Sequence, residues 1–355
     1  MESETHRPSV RISNKTILLI ILIVCFSSIS TFVGGFMVST FLNSNAVPLP
    51  GVVTTPTPTP IVDAPRPHDS QLFLPGKFYF EDSLIAITRE KPHRIVSVSV
   101  SRHEQSSNYV QNSRLSYFDG AKWVRKTAVI NQADASLSPD SIVKAWVVDV
   151  DPSLVLKESI QGEVHIPETE IQFSTSTLEN EISMRSMPGY TKFMSSGEGK
   201  ISINGVYYPS HILSTRIYSY NADNIQFFDS SLESITDWIA FWDSEDNFYH
   251  IDSTTVGKPT PRYQTHQLGV FVQNQQTVQK TFTTKISRDS TSDPTSYTVE
   301  LSNPINSTLT FKRINKLDKD GGDKSTWIMG EIEGTVTNAQ GRSLSGVGVL
   351  EYLKD

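Results

Sequence analysis

The chain of 355 residues carries 31 Lys and Arg against 38 Asp and Glu, and its net charge of −7 argues against the basic surface a nucleic-acid partner requires. Hydrophobic residues make up 37% and aromatic residues 10%, a content that sustains a packed core and excludes a wholly disordered chain. The one cysteine, Cys25, lies in an apolar run, so the remainder forms no intramolecular disulfide and no thiolate metal site.

Residues 1–15 read as a short cytoplasmic tail carrying Arg7, Arg11 and Lys15. From Ile17 to Leu42 no residue is charged, and as a helix this run extends about 39 Å against a hydrocarbon core of about 30 Å. A transmembrane helix is predicted over 16–42, with the lipid bilayer as its partner. The next basic residue is Arg66, so the positive-inside bias gives a single-pass cell-membrane protein with its N-terminus cytoplasmic and its C-terminal part extracytoplasmic. A cleavable signal has an apolar region of only about 7–15 residues, which favours a retained anchor although Ser44-Asn45-Ala46 offers small residues. A lipoprotein site at Cys25 is disfavoured by the bulk of Val24 before it. Residues 43–77 form a linker in which prolines at 48, 50, 56, 58, 60, 65 and 67 alternate with threonines, favouring an extended polyproline stalk.

From Phe78 onward the dominant period is two, and helical signals are scarce. Ile95-Val96-Ser97-Val98-Ser99-Val100-Ser101 places valines on one face and serines on the other, as a strand with one wet side requires. Asp119-Gly120 and Asn204-Gly205 each sit between two apolar runs and accept the positive φ of a two-residue hairpin turn. Asp237–Trp242 and Phe248–Asp252 form a third hairpin around the polar loop 243–247. Many short strands at this spacing predict an all-β chain of barrels or sandwiches.

The third hairpin carries the most chemistry. Trp238, Ala240 and Trp242 share one face of its first strand; on the return strand Phe248, His250 and Asp252 oppose Tyr249 and Ile251. A strand apolar on both faces suits a barrel wall whose lumen holds a ligand while its outside packs on another domain; an ordinary buried strand with His250 hydrogen-bonded to a neighbour fits the same pattern.

Four segments fall in a familiar order: Gly197-Glu198-Gly199-Lys200-Ile201-Ser202-Ile203-Asn204-Gly205-Val206-Tyr207-Tyr208-Pro209, then Asp237-Trp238-Ile239-Ala240-Phe241-Trp242, then Glu333-Gly334-Thr335-Val336, and Leu344-Ser345-Gly346-Val347-Gly348-Val349-Leu350-Glu351-Tyr352-Leu353. In this the chain resembles the AttH-like lipocalin group, which includes the carotenoid 1,2-hydratases (hydroxyneurosporene synthases), chiefly over residues 196–355. The resemblance implies tandem lipocalin-like β domains, a first over 78–195 and a second over 196–355. Relatives carry an Asp-His or Asp-Arg pair after the Tyr-Pro element. Here the segment reads His211-Ile212-Leu213-Ser214-Thr215-Arg216-Ile217-Tyr218-Ser219-Tyr220-Asn221, without the acid and with only Arg216 and Tyr218 near its place.

Hydration of an isolated alkene begins with protonation, so it needs a carboxylic acid kept neutral and aromatic rings to stabilise the cation. Asp252 is the candidate acid, with His250 and Tyr218 as further catalytic candidates; His211, Arg216, Trp238, Trp242 and Tyr249 are candidate ligand-binding residues. An arginine near the acid favours the carboxylate and weakens it as a donor. Binding of an apolar or amphipathic small molecule of isoprenoid or lipid type is therefore the leading expectation. A hydratase or isomerase acting on an isoprenoid double bond, and a non-catalytic surface interaction module, are the alternatives. The histidines have no zinc-like spacing, and Asp318, Asp320 and Asp323 lack the residue order of a calcium loop, so neither a metal nor another cofactor is expected. No Gly-x-Ser-x-Gly elbow supports nucleophilic catalysis.

Overall fold

The computed structural model describes residues 79–354 apart from several short stretches, the longest being 220–233 and 258–264. The tail, the transmembrane helix expected over 16–42 and the linker lie outside the described residues. Among the described residues every regular element is a strand, and no helix is long and apolar enough to cross a membrane.

The first sheet comprises β1 (Tyr79–Thr88), β2 (Ile95–Gln105), β3 (Asn108–Phe118), β4 (Trp123–Gln132), β5 (Val143–Asp151), β6 (Lys157–Ile166), β7 (Thr169–Thr175), β8 (Ile182–Met187), β9 (Tyr190–Ile203) and β10 (Val206–Ser219). The second comprises β11 (Ser234–Asp243), β12 (Phe248–Val256), β13 (His266–Gln273), β14 (Thr277–Thr281), β15 (Thr284–Arg288), β16 (Ser296–Leu301), β17 (Ser307–Arg313), β18 (Leu317–Asp320), β19 (Thr326–Thr337) and β20 (Ser343–Lys354). Their orders are β4-β3-β2-β1-β10-β9-β7-β6-β5, with β8 on β9, and β14-β13-β12-β11-β20-β19-β17-β16-β15, with β18 on β19. Adding ten to each label of the first order reproduces the second.

The registers repeat as well. Thr88, Ser210, Gly199 and Thr175 form a row across four strands of the first sheet, and Asp243, Gly346, Gly334 and Phe311 form the corresponding row of the second. Counting from these rows, Asp82 matches Asp237, and Glu198-Gly199 matches Glu333-Gly334. A Cβ on Gly199 would stand 2.5 Å from the Ser174 carbonyl oxygen and one on Gly334 would stand 2.1 Å from that of Thr310, so both glycines serve close approach of a neighbouring strand.

The expected boundary at 195 and 196 thus falls inside β9. Residues 190–219 hydrogen-bond into the first sheet, because β10 returns to pair with β1 and close its order. The element read as the start of the second domain is the closing hairpin of the first.

Alternation sorts three cores. Leu84, Ala86, Val96, Val98, Val100 and Leu115 face into the curl of the first sheet, while Ile239, Phe241, Tyr249, Ile251, Phe311 and Tyr352 fill that of the second. The opposite faces of β1 and β11 meet each other: Ile85, Ile87, Ile95, Phe118, Met194 and Leu213 pack on Ala240, Trp242, Phe248, Val270, Val272 and Val349. Strands with two buried faces have little need of polar alternation, which accounts for the apolar density of the Trp238 hairpin.

Candidate functional site

Between the two facing sheets lies a belt of polar and aromatic groups. Cross-strand rows place Glu81 and Lys192 on the outer face of the first sheet, the one turned toward the second, joined through Ile217 of β10. In the second sheet the row runs Met329, Glu351, Trp238, Asp252, Leu268. Lys192 Nζ bonds Asp252 Oδ2 at 2.9 Å, and His266 Nε2 donates to Asp252 Oδ1 at 2.9 Å. The Lys192 ammonium also stands 5.7 Å from the Trp238 ring centroid, within cation–π reach. Trp238 meets His250 edge to face at 5.0 Å.

His250 is fully buried and donates Nδ1–H to the Ile239 carbonyl, 2.9 Å away. This fixes the tautomer, leaving Nε2 an acceptor without a partner among the described residues. Burial, reinforced by Lys192, pushes its pKa down to about 3, so the ring stays neutral. Burial would raise the Asp252 carboxyl, but the Lys192 ammonium and the His266 hydrogen bond outweigh it and hold Asp252 well below the usual range. Asp252 is therefore a carboxylate and a poor proton donor, contrary to its expected role as acid.

Glu81 behaves oppositely. Burial pushes its carboxyl up and the nearby Glu351 adds to the rise, against the lowering influence of the Tyr79 hydroxyl, Arg114 and Lys192. Glu351 accepts the Trp327 indole N–H at 2.5 Å. Glu81, Trp238, Trp327 and Glu351 are all half-buried, so the belt is open to solvent along this side.

At the other end of the same interface His211 stacks on Trp242 with centroids 5.4 Å apart and planes 14° apart. Burial, with Arg89 alongside, lowers the His211 pKa to about 4. A cavity of about 10 Å³ lies beside this pair, lined also by Ser196, Glu198, Asp246 and Gln275. That is room for about one water molecule, not for an isoprenoid.

Of the candidate residues read from the sequence, the structure brings Trp238, His250 and Asp252 together and sets His211 with Trp242 elsewhere on the same interface. Trp238 and Trp242 face the first sheet rather than a lumen, because alternation turns Ile239 and Phe241 inward. Tyr249 packs inside the second curl against Phe271 at 4.8 Å, and burial pushes its hydroxyl up. Arg216 lies inside the first curl, its Nε 3.3 Å from Asp82, which Arg102 also holds at 2.6 Å. Tyr218 pairs with Phe80 across β1, and its side chain falls outside the described residues. Glu81, Lys192, His266 and Trp327 stand in none of the motifs read from the sequence, and Glu351 stands there only within the family pattern; the fold joins the set to the Trp hairpin through the Lys192 and His266 contacts with Asp252 and the pairing of Glu351 with Trp238.

No protein-family model and no curated protein sequence matches this chain. Among solved structures it is similar to an AttH-type protein of Nitrosomonas europaea, at 12% identity and TM-score 0.51, over 83% of this chain and 98% of that one. It is also similar to kievitone hydratase of Nectria haematococca, at 11% identity and TM-score 0.50, over 78% of this chain and 89% of that one. At these identities the likeness establishes the fold: two lipocalin-like antiparallel β-barrels in tandem. It does not single out carotenoid hydration.

Proposed function

We propose that this chain is a membrane-anchored, extracytoplasmic lipocalin-like protein that binds an apolar or amphipathic small molecule, of isoprenoid or lipid type, between its two β domains. The observation that carries the reading is the half-buried belt of Trp238, Trp327, Glu81 and Glu351 beside the apolar inter-sheet core. Rings supply the apolar contact area and the carboxyls fix a polar end. The uncharged run at 17–42, with its basic flank, supports the anchor.

The test is to incubate the purified full-length chain with a lipid extract and identify the co-purifying molecule by mass spectrometry. One species enriched on the wild type and lost on Trp238→Ala is expected; equal recovery from both proteins rejects the inter-sheet site.

Hydratase or isomerase chemistry is a second reading, favoured by one observation: burial keeps Glu81, rather than Asp252, toward its neutral acid form. Glu81 would give its proton to one alkene carbon, water would add to the cation at the other, and the proton shed by that water would return to the Glu81 carboxylate. Glu81→Gln should then lower turnover at least about 100-fold, whereas unchanged turnover removes Glu81 from the chemistry.

A further inference from the structure

Outside that belt, one cluster joins the two domains through groups with metal-binding chemistry. His93, in the β1–β2 turn of the first domain, places Nδ1 2.6 Å from Glu331 Oε1 and 3.9 Å from Glu333 Oε1, both on β19 of the second. One ligand atom from each residue lies within 4.8 Å of the others. His93 and Glu331 are only 6% and 5% exposed. Glu331 is oriented from behind as metal-binding carboxylates are: Asn315 Nδ2 donates to its Oε2 at 2.7 Å, and Trp123 Nε1 steadies the Asn315 oxygen at 2.9 Å.

The His93–Glu331 hydrogen bond holds a proton in a place where a cation also fits. Lys91 Nζ, 2.6 Å from Glu333, supplies the remaining positive charge, and its side chain is 67% exposed, so it can withdraw into water. A cation about 2.1 Å from each ligand in tetrahedral geometry would set the His93 and Glu331 ligand atoms about 3.4 Å apart, a widening of roughly 0.8 Å from their 2.6 Å contact that side-chain rotation supplies. The equivalent place on the other side of the interface shows the contrast. There Glu198, which matches Glu333, is neutralised by Arg89 at 2.6 Å, and Ser196 stands where Glu331 does.

We propose that His93, Glu331 and Glu333 form a divalent-cation site, of zinc type from its nitrogen and carboxylate donors, that ties the two domains together. In a chain whose single cysteine, Cys25, leaves no intramolecular disulfide, such a bridge does the work of a covalent staple. It lay hidden in the sequence because the ligands come from residues 93 and 331.

The test uses the purified full-length chain, stripped with chelator and titrated with Zn²⁺ alone, with bound metal and thermal midpoint as readouts. One equivalent bound at micromolar concentration with a rise in midpoint is expected for the wild type, and at least tenfold weaker binding for His93→Ala. Lys91→Met, which removes only the competing ammonium, should bind more tightly and serves where His93→Ala fails to fold. Absence of stoichiometric binding, equal binding by His93→Ala, or no gain in Lys91→Met overturns the proposal.

Discussion

Lys192 of the first domain and Asp252 of the second meet 2.9 Å apart, with side chains only 8% and 13% exposed. The pair sits where two apolar faces meet, so each charge depends on the other for compensation. Removing one partner of a buried ion pair typically costs about 3–5 kcal/mol because it strands the other, while replacing both is far milder. Lys192→Met is therefore expected to lower stability by about 3 kcal/mol, somewhat moderated by His266. The double variant with Asp252→Asn should lose clearly less than the sum of the singles. Guanidinium denaturation of the four proteins measures this, and strict additivity would refute the coupling.

Acid should weaken the interface before it reaches the carboxylates. His211 titrates near 6.5 unfolded and near 4 folded, so the folded state binds fewer protons between those values. Its contribution is complete above pH 6.5 and declines as pH falls toward 4, by up to about 3 kcal/mol at about 1.4 kcal/mol per pKa unit. His211→Gln should make the stability curve shallower in that window, leaving the slope that buried His250 contributes; an unchanged slope there excludes His211 as a titrating group.

Asp252 adds a lower window with the same direction. Its folded pKa is depressed, so its stabilisation is present above its ordinary value of 3.8 and disappears as pH falls through the folded one. Asp252→Asn should make the loss below pH 4 shallower, read by acid titration of intrinsic tryptophan fluorescence. A curve below pH 4 as steep as that of the wild type would contradict this.

Two glycine substitutions should separate close approach from backbone freedom. A Cβ at Gly348 would lie 2.0 Å from the Ala240 carbonyl oxygen of the adjoining strand, whereas Gly341, with φ +77°, has nothing within 4 Å. Gly348→Ala should cost several kcal/mol, at roughly the level of an overpacked core or more, or abolish folding. Gly341→Ala should cost about 1–2 kcal/mol through the left-handed backbone alone. Thermal midpoints of the two variants decide the order.

Strand content was largely legible because it is written locally. The valine and serine alternation of 95–101 lies within β2, the Asn204-Gly205 turn has φ values of 49° and 81°, and the Trp hairpin is β11 with β12. The serine face expected to be wet instead belongs to the side that meets the second domain, where Ser97 and Ser99 are half-buried. A period of two shows that the faces differ but does not name what each one meets.

The domain boundary and the site were illegible for one shared reason, distance along the chain. β1 closes its sheet against β10, pairing Tyr79 with Ser219, and no short window contains both. Lys192 reaches Asp252 across 60 positions, and nothing around Lys192 marks it. Asp252 reads from the sequence as an acid, whereas Lys192 and His266, partners that only the tertiary fold supplies, hold it as a carboxylate.

The matched strand orders carry a consequence for ancestry and assembly. Position for position, Lys192 of one domain corresponds to Trp327 of the other, and Asp252 corresponds to Ser99. Two copies of the leading domain joined in this way would set an ammonium against a hydroxyl, and two of the trailing domain a carboxylate against an indole. The buried ion pair that joins the halves is thus made once across the seam, and its counterpart by internal symmetry holds neither charge.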